Sequence, residues 1–263
     1  MARSKVPWGV AALMLGLAAL ALAAEDSSTE KEEENGLEIG ATADVFSQYI
    51  WRGQNVLDNW VLQPGASIGY KGLTGSIWGN MDLAGETVGS GSLSEVDFTL
   101  DYSNKVPGLD VLAYSLGVIH YDYVNTSSPA TSEVYGGLNL GVPLSPAVRW
   151  YYDFEQIDGS YIQFSIGHTI EKVHKWADNC YCDLQLGASV GYGSDSYNRG
   201  YFGVDEGAFN DLTLTAGLPI CLGKLTIKPN LGYSMMLDKD IRTGAAPHAD
   251  NFWGGVSLAY SFN

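Results

Sequence analysis

The stretch AVRWYYDFE sets Val148, Trp150, Tyr152 and Phe154 against Arg149, Tyr151, Asp153 and Glu155 in strict alternation. A strand turns successive side chains to opposite faces, so this segment has one apolar and one polar wall. The pattern recurs. EVDFTLDY opposes Val96, Phe98, Leu100 and Tyr102 to Glu95, Asp97, Thr99 and Asp101, and CDLQLGASVGY aligns Leu184, Leu186, Ala188, Val190 and Tyr192. The last run, FWGGVSLAYSFN, carries Val256, Leu258, Tyr260 and Phe262 on one face. Counting every such run predicts about twelve strands. They lie near 37–51, 61–70, 73–83, 95–102, 109–121, 133–142, 147–155, 160–170, 182–192, 211–218, 225–236 and 252–262. No helical periodicity of comparable strength separates them.

The connections narrow the architecture. Long polar linkers at 52–60, 84–94, 122–132, 193–210 and 237–251 alternate with short ones such as Lys71-Gly72 and PLSP. Long loops on one rim and short turns on the other mark an outer-membrane barrel. Two connections break the rule: Gln156 to Gly159 is short where a loop is due, and 171–181 is long where a turn is due. A soluble sandwich would also alternate, but its apolar faces must meet in one core of limited area. Twelve nearly continuous apolar faces fit a lipid-facing wall more simply. The predicted fold is therefore all-β, a transmembrane up-and-down antiparallel β-barrel over 37–263.

The N-terminus reads as an export signal. Arg3 and Lys5 precede an apolar run from Trp8 to Leu22 that ends in Ala21–Ala23, the layout of a cleaved signal peptide at 1–23. Residues 24–36 form an acidic lead-in without aromatics, expected to be flexible. These features predict the outer membrane of a Gram-negative-type bacterium, with its lipid as partner.

Charge excludes some functions. The chain carries a net −16, which disfavours nucleic acid, since phosphate binding needs clustered Lys and Arg. No cofactor is implied, and Cys180-Tyr181-Cys182 with His174 lacks a recognised metal-ligand spacing. The four histidines show no Ser and acid at triad spacing; His168 shares the lipid-facing parity of Phe164 and Ile166. Strand order predicts that Cys182 or Cys180 bonds Cys221, because all three lie at one rim in neighbouring strands.

Parity assigns Asp44, Asp82, Glu95, Asp97, Asp101, Glu133, Asp153, Glu155, Asp183 and Asp211 to the interior, opposed there by Arg149 and Lys228. Isolated carboxylates in a membrane must be hydrated or paired, and rings of them favour cations. In SQYIWRGQ, Tyr49 and Trp51 continue the outward face of Val45, so they join Tyr192, Tyr260 and Phe262 as candidates for an aromatic girdle. Arg52 has the opposite parity and turns toward the lumen rim, to pair with a carboxylate or contact solute.

The signal peptide, the strand ATADVFSQYIWRGQ and the following PGASIGY resemble the uncharacterised Gcw_chp family, whose members carry a Ser-x-Tyr-x-Trp-Arg-Gly strand end. The later strands EVDFTLDY and EVYGGLNLG are similar as well. The resemblance implies an exported outer-membrane barrel and supplies no activity or functional residue. The sequence favours a narrow passive channel for small neutral or cationic solutes. A non-conducting envelope scaffold or sensor and, behind it, a lipid-modifying enzyme are the other readings.

Overall fold

The computed structural model describes residues 36–262; the expected signal peptide and nearly all of the acidic lead-in lie outside the described residues. The elements run β1 (Leu37–Phe46), β2 (Tyr49–Trp51), β3 (Gln54–Leu57), β4 (Val61–Tyr70), β5 (Leu73–Asp82), β6 (Ser92–Val106), β7 (Leu109–Asp122) and β8 (Thr131–Leu140). They continue with β9 (Ala147–Asp153), β10 (Gly159–Ala177), β11 (Cys180–Gly193), α1 (Asp195–Phe202), β12 (Ala208–Gly217), β13 (Ile220–Leu222), β14 (Leu225–Met236), α2 (Lys239–Gly244) and β15 (Asp250–Ser261).

Each wall strand pairs antiparallel with its sequence neighbour, and β15 pairs back to β1, so the sheet closes on itself without an open seam. The short β13 lies beyond β12 between β11 and β14 and completes one stave. With β2 and β3 paired only to each other, the wall is a closed barrel of twelve strands.

Burial is inverted relative to a soluble protein. Outward Ile68, Phe98, Leu116, Phe164, Ile166, Leu214, Leu231 and Leu258 are exposed, while inward Thr42, Asp44, Gln63, Asn80, Glu133, Ser234 and Ser257 are buried. An apolar band of this extent, facing outward from a closed barrel, is a surface for acyl chains. Each wall strand has a hydrogen-bonded neighbour on both sides, which satisfies most of its backbone internally, as crossing a bilayer requires.

The two irregular connections resolve differently. Residues 171–177 are strand, not turn: β10 and β11 keep pairing as far as Ala177↔Cys180, with a register shift between Ile170 and His174. The hairpin after β9 is short, as the sequence indicates, and α1 covers it. A Cβ on Gly159 would come within 2.5 Å of the Tyr197 backbone nitrogen, so the bare glycine lets the helix sit against the strand. Ser194 caps α1 by accepting from the Tyr197 N–H, and Gly203 ends it in the left-handed region.

Candidate functional site

The first strand ends sooner than its alternation predicts. β1 stops at Phe46, whose ring meets Trp253 edge-on at 5.3 Å. Ser47 then exchanges hydrogen bonds with Gly254 through its backbone N–H and its Oγ, and the chain bends into the barrel. Tyr49 is 7% exposed and packs with Leu57 and Val61, with Trp51 and Trp78 against that cluster. Tyr49 and Trp51 are therefore lumen residues and not part of an aromatic girdle. The parity argument fails because the strand direction changes at the bend.

β2 and β3 form a hairpin whose tip is Arg52-Gly53. Their φ values of 47° and 76°, with Trp51 paired to Gln54, are those of a two-residue type I′ turn. Gly53 is required twice over: by that φ, and because an added Cβ would lie 2.3 Å from Cβ of Asp211.

The tip carries the Arg52 guanidinium across the lumen. Nη1 and Nη2 donate to Oε1 and Oε2 of Glu133 at 2.9 and 2.6 Å, with the two side chains 6% and 1% exposed. Aromatic rings surround it: Trp51 at 4.4 Å, Tyr151 at 4.2 Å and Tyr161 at 4.7 Å from its central carbon. The Tyr121 hydroxyl donates to Oε2 of Glu133, and that of Tyr161 to Oδ1 of Asp211. β7, β8, β9, β10 and β12 supply the wall groups, and β9 and β10 lie across the barrel from β1 and β4, where the hairpin is rooted. A bidentate, ring-stacked arginine of this kind is a fixed strut, not a mobile surface charge.

The structure distributes the remaining candidates among different tasks. Asp82 accepts backbone N–H bonds from Ala84, Gly85, Thr87 and Val88, and Asp153 from Glu155, Gln156 and Ile157. Both sit at the loop ends of their strands and hold loops in shape. Glu155 is a correction: β9 stops at Asp153, so Glu155 is exposed in the turn and does not face the lumen. Asp101 bonds the Tyr135 hydroxyl, and Arg149 lies 5.4 Å from that ring. Asp44 faces Ser257 and Lys228, while Asp183 accepts the Lys172 N–H at 2.6 Å near the turn rim. Glu95 is 5% exposed and meets the Tyr49 hydroxyl; Oδ1 of Asp97 is buried without a partner among the described residues.

Tyr192, Tyr260 and Phe262 keep outward positions, with Tyr192 edge-on to Phe209 and Tyr260 to Phe262. The cysteines are all free. Cys221 pairs across the ladder with Tyr181, and Cys182 with Ile220. Cross-strand partners share a face, so Cys221 points opposite to both Cys180 and Cys182. The expected disulfide is thus precluded by a register offset of one residue.

His168 faces outward and is exposed. The outward His120 has Nδ1 2.9 Å from Oγ of Ser132, a contact that sequence spacing did not suggest. Among the described residues no carboxylate bonds its other nitrogen, so the pair lacks the orienting group a nucleophilic serine uses. The tyrosines around the Arg52–Glu133 pair were also missed. Tyr121, Tyr151 and Tyr161 have inward parity in the sequence, a signal that inward tyrosines at the loop end await a cation.

Comparison with solved structures finds the same architecture. A KdgM porin superposes with a TM-score of 0.53 at 16% identity, covering 85% of this chain and all of the other. A NanC porin gives 0.51 at 15% identity, covering 84% of this chain and 99% of the other. The likeness is one of fold. No protein-family profile matches the chain, so nothing beyond the quoted residues carries the Gcw_chp resemblance, and no curated protein matches it either.

Proposed function

We propose that this protein is an outer-membrane channel that passes small neutral or cationic solutes passively, with residues 47–57 as its constriction. One observation carries the reading: a closed barrel with an apolar exterior encloses a polar, carboxylate-rich interior. Thr42 Oγ1, Asp44 Oδ1, Trp78 Nε1, Asp97 Oδ1 and Asn139 Oδ1 are buried there without partners among the described residues, a state that buried polar groups sustain with water. A wet lumen is the condition for conduction. The two similar structures described above are named porins, which agrees with the proposal. Arg52 is paired to Glu133, so Glu95 and Asp97 are the carboxylates near the hairpin that can face a passing solute, and acidic groups in a pore favour cations.

The hairpin favours a second reading, a non-conducting envelope scaffold, because it bridges wall to wall. Refolded protein in a planar bilayer separates the two. Discrete conductance steps, with a reversal potential in a salt gradient on the cation-selective side, are the expected result. A silent bilayer, or anion selectivity, overturns the channel reading.

A further inference from the structure

A cavity of about 250 Å³ opens beside the hairpin on the loop side. At roughly 30 Å³ per water it holds about eight waters, room for a small ion and not for an oligomer. Its walls include Tyr49, Trp51, Tyr123 and Tyr201, and Glu95 and Gln54 supply polar groups. Four aromatic residues around one carboxylate make a specific chemical environment. Ring faces attract cations, most strongly when water is excluded, and alkylated ammonium ions lose less hydration than metal ions on entering such a cage.

Three further observations point to an occupant. Glu95 is 5% exposed, and its recorded side-chain partner is the Tyr49 hydroxyl. Gln54 Nε2 is buried with no hydrogen-bond partner among the described residues. Tyr123 is held beside the carboxylates Glu95, Asp97, Glu133 and Asp153, and burial first and these groups second push its hydroxyl above its ordinary pKa, so the wall next to the cavity is acidic in composition. Arg52 lies against Trp51 at 4.4 Å, but it is paired to Glu133, which leaves Glu95 as the carboxylate that lines the cavity.

We infer that this cavity is a binding site for a small organic ammonium ion, held by Glu95 and the rings of Tyr49, Trp51, Tyr123 and Tyr201. The inference deepens the channel reading by naming a solute class, yet binding at the site does not depend on conduction.

Titration calorimetry of the detergent-folded full chain with choline, at constant ionic strength and with potassium as the control cation, tests it. The expected result is saturable choline binding that potassium does not reproduce, weakened about tenfold or more by Glu95→Gln and by Tyr123→Leu. Asp183→Asn, at the opposite rim, should bind as the wild type does. Tyr123 stands in a loop, so its replacement keeps the test valid if Glu95→Gln fails to fold. Equal heats for choline and potassium, or wild-type affinity in folded Glu95→Gln or Tyr123→Leu, would overturn the site. Conductance without saturable choline binding removes this inference and leaves the channel. Binding without conductance supports the site and removes the channel.

Discussion

Arg52→Ala tests the strut directly. The substitution removes both arms of the pair to Glu133 and leaves a carboxylate that is 1% exposed. Stranding a buried charge in this way costs ~3–5 kcal/mol. The Tyr121 hydroxyl still donates to Glu133 at 2.9 Å and lumen water can reach the freed oxygen, so the lower end, about 3 kcal/mol, is expected. That is about two decades in the equilibrium between docked and undocked hairpin. Hydrogen exchange of the amides of residues 49–57 reads the equilibrium, and single-channel conductance reads its consequence. Exchange should accelerate by about a hundredfold and open-channel current should rise. Pairing Arg52→Ala with Glu133→Gln should recover part of the loss, because the double variant has no stranded charge; the cycle should yield a coupling of ~2–3 kcal/mol. Unchanged exchange and current in Arg52→Ala would refute the strut, as would simple additivity in the cycle.

Other substitutions probe the same framework. Gly53→Ala should undock the hairpin by ~1–3 kcal/mol, through its positive φ and the clash with Asp211, while the gel shift on boiling that reports an intact wall persists. Glu95→Gln combined with Asp97→Asn should move the reversal potential toward zero, and a cation preference that survives would remove those carboxylates from the selectivity argument. Asp82→Ala frees four backbone N–H groups in the loop after β5. It should expose residues 83–91 to protease at a cost of about 2 kcal/mol, and resistance equal to the wild type would contradict the capping role. Alkylation in denaturant without reductant should label Cys180, Cys182 and Cys221 alike; a product carrying one label would restore the disulfide.

Alternation made the wall legible because side-chain parity in a strand depends only on local geometry. The extents of β4 and β14 follow from where apolar and polar residues stop trading places, whereas β12 starts three residues before its alternation predicts. The same rule misled at 37–51, where Val45, Ser47, Tyr49 and Trp51 keep the rhythm through a bend fixed by Phe46 against Trp253 and by Ser47 on Gly254. Those partners lie about two hundred residues away, beyond any local pattern. A local clue was nevertheless present: Lys71-Gly72 and Arg52-Gly53 are the same kind of pair, a basic residue and a glycine both at positive φ, and each turns a hairpin. Parity placed carboxylates on a face without naming their partners. It could not separate Asp82 and Asp153, which hold loops, from Glu95, which lines a cavity. For the cysteines, adjacency of strands was insufficient, since one residue of register decides which face a thiol occupies.

The long hairpin of β10 and β11 has a consequence for assembly. β9 pairs with β10 between Gly159 and Ser165, so the outer edge of β10 runs on toward Ala177 without a neighbouring strand among the described residues. An open strand edge is a template on which another chain can add itself, and a barrel that must travel unfolded to its membrane is vulnerable there. The chain guards this edge with Glu171, Lys172 and Lys175 and with the irregularity between Ile170 and His174, devices that make the edge charged and uneven. What the finger presents to solvent is thus a border closed to casual stacking, kept outside the ring that the other staves complete.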